Sequence, residues 1–381
     1  AADPNGLSAM SSLPIGSAAA DILPPSETIS GLAFLNDNSL LASSWDGSIL
    51  GYSVQNGVFQ RVIQFKNDCP VTSISCSQPP YVAFSCLSGD IKVLDCSNPT
   101  TAMTVVKHSA PAFQVCTIED YVVSGAFDNS VNVYKGPQPV WNHTFPDMRL
   151  SAVGVTANKH NIFVVSAGVP LKATAQGALP GVQVSVCQIP LSGTRKPKSS
   201  TMTVKRDLTN GGSPCAVTLR RPSDNTNTAM SALLSLDNGR CLTLDAHQTG
   251  YGAQTKLQLK NSTRALPLHR ALMAGQPTFY PCGPMVYHPG ANVYLSTGGD
   301  GHITVWNDHT KKYFSLLDEA LPWPVRALPT TAIAVNPQGS LVAFATGDDW
   351  AYGPGRPVPV GLHVMLVSDM AKLRAPSKYQ R

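Results

Sequence analysis

Short apolar runs alternate with turn-forming residues along most of this chain. In three segments, 46–52, 128–134 and 300–306, an Asp is followed by β-favouring apolar residues and, six positions later, by an aromatic residue. When apolar and other residues alternate, every second side chain points toward a core, as in a β-strand. Asp, Asn and Gly favour the tight turns that join such strands. The pattern therefore predicts a repeated β-hairpin.

Seven apolar runs predict the first strands of seven repeat units. In the first half, Tyr52 and Leu94 are 42 residues apart and Leu94 and Tyr134 are 40 apart. A period of about 40 to 45 residues is typical of four-stranded propeller blades. The second unit departs from the pattern, since Ser88 replaces the Asp and Leu94 replaces the aromatic residue. The seven runs are 29–34, 71–76, 113–117, 152–155, 215–219, 285–287 and 332–335.

Units in the second half are longer, at roughly 50 to 60 residues, and we expect three insertions there to be loops. These segments are 167–181, 193–212 and 250–275. The fold class predicted is all-β, a seven-bladed β-propeller. We expect a flexible lead at 1–20, one propeller at 21–376 and a tail at 377–381. Propellers are often closed by strands from both chain ends, so residues 13–23 are expected to add the outer strand of the last blade.

Composition narrows the class of protein without identifying its partner. Charged residues are 13% of the chain, and 30 Gly and 31 Pro indicate many turns. The net charge of +5 permits an acidic or nucleic-acid partner without requiring one. Nine scattered Cys without a C-x-x-C pair predict neither a disulfide framework nor a metal site, and no cofactor is expected. This use of Cys leads us to expect a reduced, intracellular protein. No apolar run is long enough for a membrane span.

An enzyme is the rival class, and the sequence disfavours it. It contains no zinc-protease, nucleophile-elbow, phosphate-loop or dinucleotide motif. Asp348 and Asp349 are paired carboxylates, but neighbours on a strand point to opposite faces of a sheet. We therefore expect no catalytic residues.

Five segments carry a resemblance to a known family: Pro24–Phe34, Ser43–Asp46, Tyr280–His288, Thr297–Trp306 and Asp349–Trp350. In this order they resemble the WD-repeat family that contains the messenger-RNA export propeller and the mitotic-checkpoint propeller. The resemblance implies a non-enzymatic seven-bladed WD-repeat disc, monomeric apart from its partner, that holds an acidic GLEBS peptide on its top face. The partner would be a nucleoporin in the export branch or a checkpoint kinase in the other. The implied locations are nucleus, nuclear pore and cytoplasm, or the kinetochore.

The resemblance also implies roles for individual residues. Trp45 and Phe127 match apolar docking positions on the top face, although an aromatic residue there can also cap its own blade. Arg240 matches an arginine that pairs with glutamates of the peptide. The planar guanidinium can bind a carboxylate through two parallel hydrogen bonds. A second family arginine is replaced by Pro214, which leaves open whether Arg220 or Arg221 takes its place. His269 and Arg270 are expected to be structural.

Direct RNA binding and the choice of branch remain open. Five basic residues in one predicted insertion could contact phosphates, but no aromatic residue lies among them to stack on bases. They are Arg195, Lys196, Lys198, Lys205 and Arg206. Trp45 and Lys311–Lys312 favour the checkpoint branch, whereas the low-complexity lead and Trp350 favour the export branch. The export branch is the expectation, the checkpoint branch is the alternative, and a WD-repeat scaffold of another complex is the third possibility.

Overall fold

Antiparallel sheets make up almost all of the computed structural model. It describes residues 12–14, 25–55, 58–172, 181–191, 196–220, 228–249, 256–261, 266–273, 276–288, 293–307, 312–315, 328–348 and 359–366. Across these ranges, no helix has the length and apolar character required to cross a bilayer. The same residues contain no group of three or more His, Cys, Asp or Glu side chains arranged to hold a metal ion.

The first three blades are four-stranded sheets whose strands pair in chain order. The first described strand is β1 (Ser12–Pro14). Blade 1 contains β2 (Ile29–Asn36), β3 (Ser39–Ser44), β4 (Ser48–Gln55) and β5 (Val58–Lys66). Blade 2 contains β6 (Val71–Gln78), β7 (Tyr81–Cys86), β8 (Asp90–Asp95) and β9 (Ala102–Lys107). Blade 3 contains β10 (Ala112–Ile118), β11 (Tyr121–Ala126), β12 (Ser130–Lys135) and β13 (Gln138–Thr144).

Blades 4 to 6 follow the same order with additions. Blade 4 contains β14 (Met148–Ala157), β15 (Asn161–Pro170), β16 (Val182–Pro190) and β17 (Lys198–Val204), followed by a short helix, α1 (Arg206–Thr209). Blade 5 contains β18 (Pro214–Arg220), β19 (Thr228–Leu236), β20 (Arg240–Thr249) and β21 (Lys256–Asn261), and β22 (Leu266–Pro267) also pairs with β20. A separate hairpin of β23 (Arg270–Met273) and β24 (Gln276–Phe279) follows. Blade 6 contains β25 (Cys282–His288), β26 (Val293–Gly298), β27 (Ile303–Asn307) and β28 (Lys312–Ser315).

The last blade joins the two ends of the chain. Its strands β29 (Thr330–Val335), β30 (Leu341–Thr346) and β31 (Gly361–Leu366) are completed by β1, which pairs antiparallel with β31. In this register Leu13 lies opposite Val364. The predicted closure by an N-terminal strand is thus present at 12–14, inside the segment expected to be a flexible lead. The rest of the predicted strand, and the predicted end of the propeller at 376, lie outside the described residues.

The first strands of the blades form a closed ring. Each contacts the first strand of the next blade, and the contact between β29 and β2 completes the circle. All seven predicted first strands are present, and the seven-bladed all-β fold is confirmed. All three predicted loops are wrong in part: 167–181 begins inside β15, 193–212 contains β17 and α1, and 250–275 contains β21, β22 and β23. Outer strands such as β17 alternate between exposed and half-buried residues, so they lack the apolar run that marks an inner strand.

The hydrophobic core lies between neighbouring blades. Large side chains fill most of these interfaces: Tyr52 and Phe59 lie between blades 7 and 1, and Phe65 packs 6.0 Å from Phe84 between blades 1 and 2. Between blades 2 and 3 the cluster is built from smaller residues, including three alanines. The closely packed interfaces make the ring a rigid support for the turns at its two faces.

Candidate functional site

We define the top face as the end of the propeller where the second and third strands of each blade are joined. In every blade, the first residue after the second strand donates its backbone N–H to the carbonyl that precedes the first strand, at 2.8–3.1 Å. These seven rim residues are Trp45, Leu87, Phe127, Leu171, Asp237, Gly299 and Gly347. The repeated bond places one side-chain position of each blade at the same rim.

Hydrogen bonds from serines hold the turn aspartate of blade 1. Asp46 accepts bonds from the Ser48 N–H at 2.6 Å and from the Ser26 N–H and hydroxyl at 3.0 and 2.8 Å. Burial alone raises the pKa of this carboxyl, but the bonds from Ser48 and Ser26 outweigh it and lower the pKa to about 2. The following Gly47 has φ +87°, which a side chain rarely adopts. The Asp–Gly pair therefore builds the turn itself.

Blades 3 and 6 hold the equivalent aspartates with buried histidines. His269 Nδ1 lies 3.0 Å from Asp300 Oδ1, and its Nε2 lies 2.9 Å from the Ser296 hydroxyl. His108 bonds both Ser124 and Ser130 at 2.8 Å. Burial lowers the pKa of His108 despite the nearby carboxylate of Asp128. Because the backbone N–H groups of His108 and His269 bond the Gly89 and Gly239 carbonyls of blades 2 and 5, these networks link the turns of neighbouring blades, in keeping with the structural role expected for His269.

Four consecutive blades present a large apolar residue at the rim. We call Trp45, Leu87, Phe127 and Leu171 the apolar arc. Trp45 is half-buried, whereas Leu87, Phe127 and Leu171 are 41%, 57% and 54% exposed. The next three blades carry Asp237, Gly299 and Gly347 at the rim. The apolar character is therefore confined to one side of the top face.

Local contacts support individual members of the apolar arc. The ring of Phe127 packs against Phe113 with their centroids 5.2 Å apart. Leu171 stands further from the disc than its counterparts, because the β14–β15 ladder continues past its bulge to the pair Met148 and Pro170. The sequence pointed to Trp45 and Phe127 but missed Leu87 and Leu171. Their place directly after a strand and before a turn was the available signal.

Exposed lysines accompany the apolar arc. Lys66 and Lys107 end the outer strands of blades 1 and 2, and their ammonium groups lie 3.6 and 3.5 Å from the carboxylates of Asp46 and Asp90. Lys172 follows Leu171 and pairs with Asp147. Exposed pairs of this kind contribute little stability and remain accessible to another anion. The arc thus combines apolar and cationic groups.

Arg240 lies at the start of β20, on the same face as the apolar arc. Its guanidinium lies 5.6 Å from the centre of the Phe279 ring, on the hairpin of β23 and β24. Pro214, at the position expected for a second arginine, is buried at the start of β18, and its carbonyl accepts a bond from Ser151 at 2.8 Å. Arg220 ends β18, at the opposite face from Arg240, and Arg221 lies outside the described residues. Among the described residues, the top face therefore has Arg240 but lacks an arginine at position 214, where the resemblance implies a second one.

The five basic residues predicted in one loop are divided by β17. Lys196 and Lys198 lie before and at its start, while Lys205 and Arg206 follow its end on the top face. Seven residues of strand separate the two ends by roughly 20 Å, and Arg195 lies outside the described residues. The expectation of a single basic loop is corrected, because the segment is the outer strand of blade 4. RNA contact by these residues stays a prediction.

The described residues contain no arrangement that indicates catalysis. The turn carboxylates accept hydrogen bonds from neighbouring residues of the propeller. Asp348 follows β30, while Asp349 falls outside the described ranges, so the structure does not bring this predicted pair together. The geometry of the top face is instead that of a surface for contacts with another molecule.

Comparisons with known proteins agree with this architecture. The family profile for the WD domain, G-beta repeat (WD40), matches residues 22–52. No curated protein sequence matches the chain significantly. Among solved structures, the RRP9 WD40 repeats align with a TM-score of 0.64 at 13% identity, covering 90% of this chain and 96% of that one. U3-55K gives a TM-score of 0.64 at 13% identity, with 91% and 97% covered.

A third solved structure gives the same picture. The WD40 β-propeller domain of Doa1 aligns with a TM-score of 0.57 at 11% identity, covering 92% of this chain and 96% of that one. Identities this low concern the fold, and the fold of the chain is that of WD40 propellers. The segment matched by the family profile includes Trp45 and the turn of blade 1.

Proposed function

We propose that this chain is a non-enzymatic scaffold that docks an acidic, partly apolar peptide of a partner protein on its top face. The observation that carries the proposal is the apolar arc. Single exposed apolar residues are common on protein surfaces, but apolar residues at the same rim position of four consecutive blades favour an interaction site. Trp45 and Phe127 supply the large aromatic groups that dominate binding energy at interfaces.

The charges around the apolar arc favour an acidic partner. Lys66, Lys107 and Lys172 are exposed beside it, and Arg240 lies on the same face. Complementary charge steers a partner to the surface and fixes its register more than it raises affinity. A peptide that alternates apolar residues with Asp or Glu would therefore match the arc and its lysines together.

The finer proposal is that the peptide is of the GLEBS type and belongs to a nucleoporin, so that the chain acts as a messenger-RNA export adaptor at the nuclear pore. It rests on the resemblance of Trp45, Phe127 and Arg240. A spindle-checkpoint adaptor at the kinetochore is the alternative. Pro214 stands where the resemblance implies a second peptide-binding arginine. The apolar arc and its lysines would compensate for the missing charge.

Affinity purification of the tagged chain followed by mass spectrometry tests the proposal. The test variant carries Leu87→Ser, Phe127→Ser and Leu171→Ser, and a second variant carries Arg240→Glu. The matched control carries Val62→Ser and Val140→Ser, which are exposed apolar residues on outer strands away from the rim. We expect both test variants to lose a partner that the control retains, with wild-type melting temperatures.

The identity of the lost protein distinguishes the branches. A nucleoporin supports the export role, and a checkpoint kinase supports the kinetochore role. Equal recovery of every partner by the wild type and by a folded arc variant would contradict docking at the apolar arc.

A further inference from the structure

A groove of about 390 Å³ opens between blades 2 and 3, at the end of the propeller opposite the apolar arc. Its residues come from the strands of both blades near this end and from two turns of blade 3, at Glu119–Asp120 and at Gly136. The floor is apolar and includes Val82, Ala83, Val93 and Val122. A space of this size accommodates one or two large side chains of a ligand.

The groove lies at an interface whose core cluster is built mainly from small side chains, and Ala83 of this cluster lines it. Ala83, Ala112 and Ala126 take part in its core cluster, whereas the interface of blades 1 and 2 contains Phe65 and Phe84. Hydrogen bonds nevertheless hold the two blades together: Ser75 and Thr117 hydroxyls lie 2.9 Å apart. The Ser77 hydroxyl donates to the Glu119 carbonyl at 2.7 Å. The opening is therefore a preformed feature of the assembled blades.

Exposed side chains line the mouth of the groove. Tyr81 and Met103 are 55% and 62% exposed, a high fraction for large apolar groups that border a cavity. Glu119 has φ 51°, in the left-handed region that non-glycine residues seldom adopt. Outliers of this kind cluster at functional sites. The turn thus places a carboxylate at the edge of an apolar floor.

The charges at the mouth favour a cation. The Lys135 ammonium lies 3.1 Å from Asp120 and 5.2 Å from the centre of the Tyr121 ring, so Asp120 already has a partner. Within the described part of the chain, the Glu119 carboxylate has no ion-pair partner. Two carboxylates and one ammonium leave the mouth with one net negative charge. The exposed aromatic ring of Tyr81 also attracts cations.

We infer that this groove binds a short peptide segment of a partner protein in which a large apolar residue lies next to Lys or Arg. The apolar side chain enters between blades 2 and 3 and covers the valines of the floor. The neighbouring cation pairs with Glu119 at the mouth, beside Tyr81. This ligand is opposite in charge to the one proposed for the top face, so the two sites would hold different segments.

Selection from a phage-displayed library of random dodecapeptides on the immobilised full chain tests the inference. Enriched sequences should share Lys or Arg within one residue of Leu, Met or Phe. A synthetic peptide of the enriched sequence is then measured by fluorescence polarisation against the wild type, Glu119→Gln and Met103→Ser. We expect each substitution to weaken binding by about tenfold, the effect of losing one charge-assisted or apolar contact.

The controls separate this groove from the top face. Glu27→Gln removes another exposed carboxylate, and Val62→Ser removes another exposed apolar side chain. Neither control, nor Phe127→Ser in the apolar arc, should change the affinity for the groove peptide. Any of three results would overturn the inference: no sequence is enriched, the enriched sequences lack the basic and apolar pair, or Glu119→Gln and Met103→Ser bind as well as the wild type.

Discussion

Glycine can be required in the turns beneath the apolar arc for two reasons: a positive φ, or a neighbouring backbone that leaves no room for a Cβ. Replacing Gly89 by alanine tests the second reason. Gly89 follows Leu87 by two residues and has φ +87°. A Cβ built there would lie 2.7 Å from the carbonyl oxygens of both His108 and Ala110. The Gly89 carbonyl also accepts the His108 N–H at 2.9 Å, so the two segments cannot separate without losing this bond. We expect Gly89→Ala to destabilise the protein strongly.

A second glycine supplies the matched control. Gly136 has φ +53°, but a Cβ there would meet nothing within 4 Å. The left-handed backbone costs an alanine about 1–2 kcal/mol at Gly136, and at least as much at Gly89, whose φ lies beyond the region open to L-residues. The lower entropy of the unfolded alanine chain offsets about 0.4–1 kcal/mol of this. Overlap with fixed carbonyls adds about 1–3 kcal/mol at Gly89 alone, so the two variants should differ by about that amount.

Urea denaturation followed by tryptophan fluorescence measures this difference. The unfolding midpoint of Gly89→Ala should lie clearly below that of Gly136→Ala, with similar slopes. Equal midpoints would show that the contact with His108 and Ala110 is not what requires glycine, and would refute the steric reasoning.

Three further predictions concern acid stability, closure of the ring and thiol reactivity. Because the folded-state pKa of Asp46, about 2, lies below its ordinary 3.8, its charge stabilises the fold above about pH 4 and this contribution is lost as pH falls to about 2. The melting temperature should therefore fall over that interval less steeply in Asp46→Asn than in the wild type, and parallel curves would contradict this. Deleting residues 1–14 removes β1 from β31 and should lower the melting temperature in differential scanning fluorimetry, whereas an unchanged value would show that β1 does not close the ring. Cys215 is exposed, while burial raises the pKa of Cys187 to about 12, so a thiol reagent should modify one site rapidly and Cys215→Ser should abolish that phase.

The repeat was readable from the sequence because each blade reuses the same local chemistry. Asp46 with Gly47 and Asp300 with Gly301 predict turns. The seven apolar runs match the first strands of all seven blades. Outer strands were harder to find. β17 faces the core with only alternate half-buried residues, and β21 belongs to a segment whose Gly-rich flanks indicated a loop. A strand that packs on one side carries a weaker pattern than one buried on both.

Part of the candidate site could also be predicted. Trp45 and Phe127 were found because an aromatic residue beside a turn Asp departs from the small residues around it. Leu87 and Leu171 were missed, since a leucine before a turn resembles any core residue until its exposure is known. Arg240 lies on the top face, as the resemblance implied. Its neighbour Phe279 belongs to the hairpin of β23 and β24, a contact that the sequence did not predict. Its role in binding stays a prediction.

The sequence by itself determined the number of blades and the chemistry of their turns, because spacing, alternation and turn residues act over a few positions. Only the tertiary structure decided which side chains share a surface. The apolar arc collects residues from four blades, and at the opposite end the groove is lined by residues of two of these blades, 2 and 3. Whether a leucine lies in a core or at a rim, and whether facing blades fill the space between them, depends on contacts between segments about 40 residues apart.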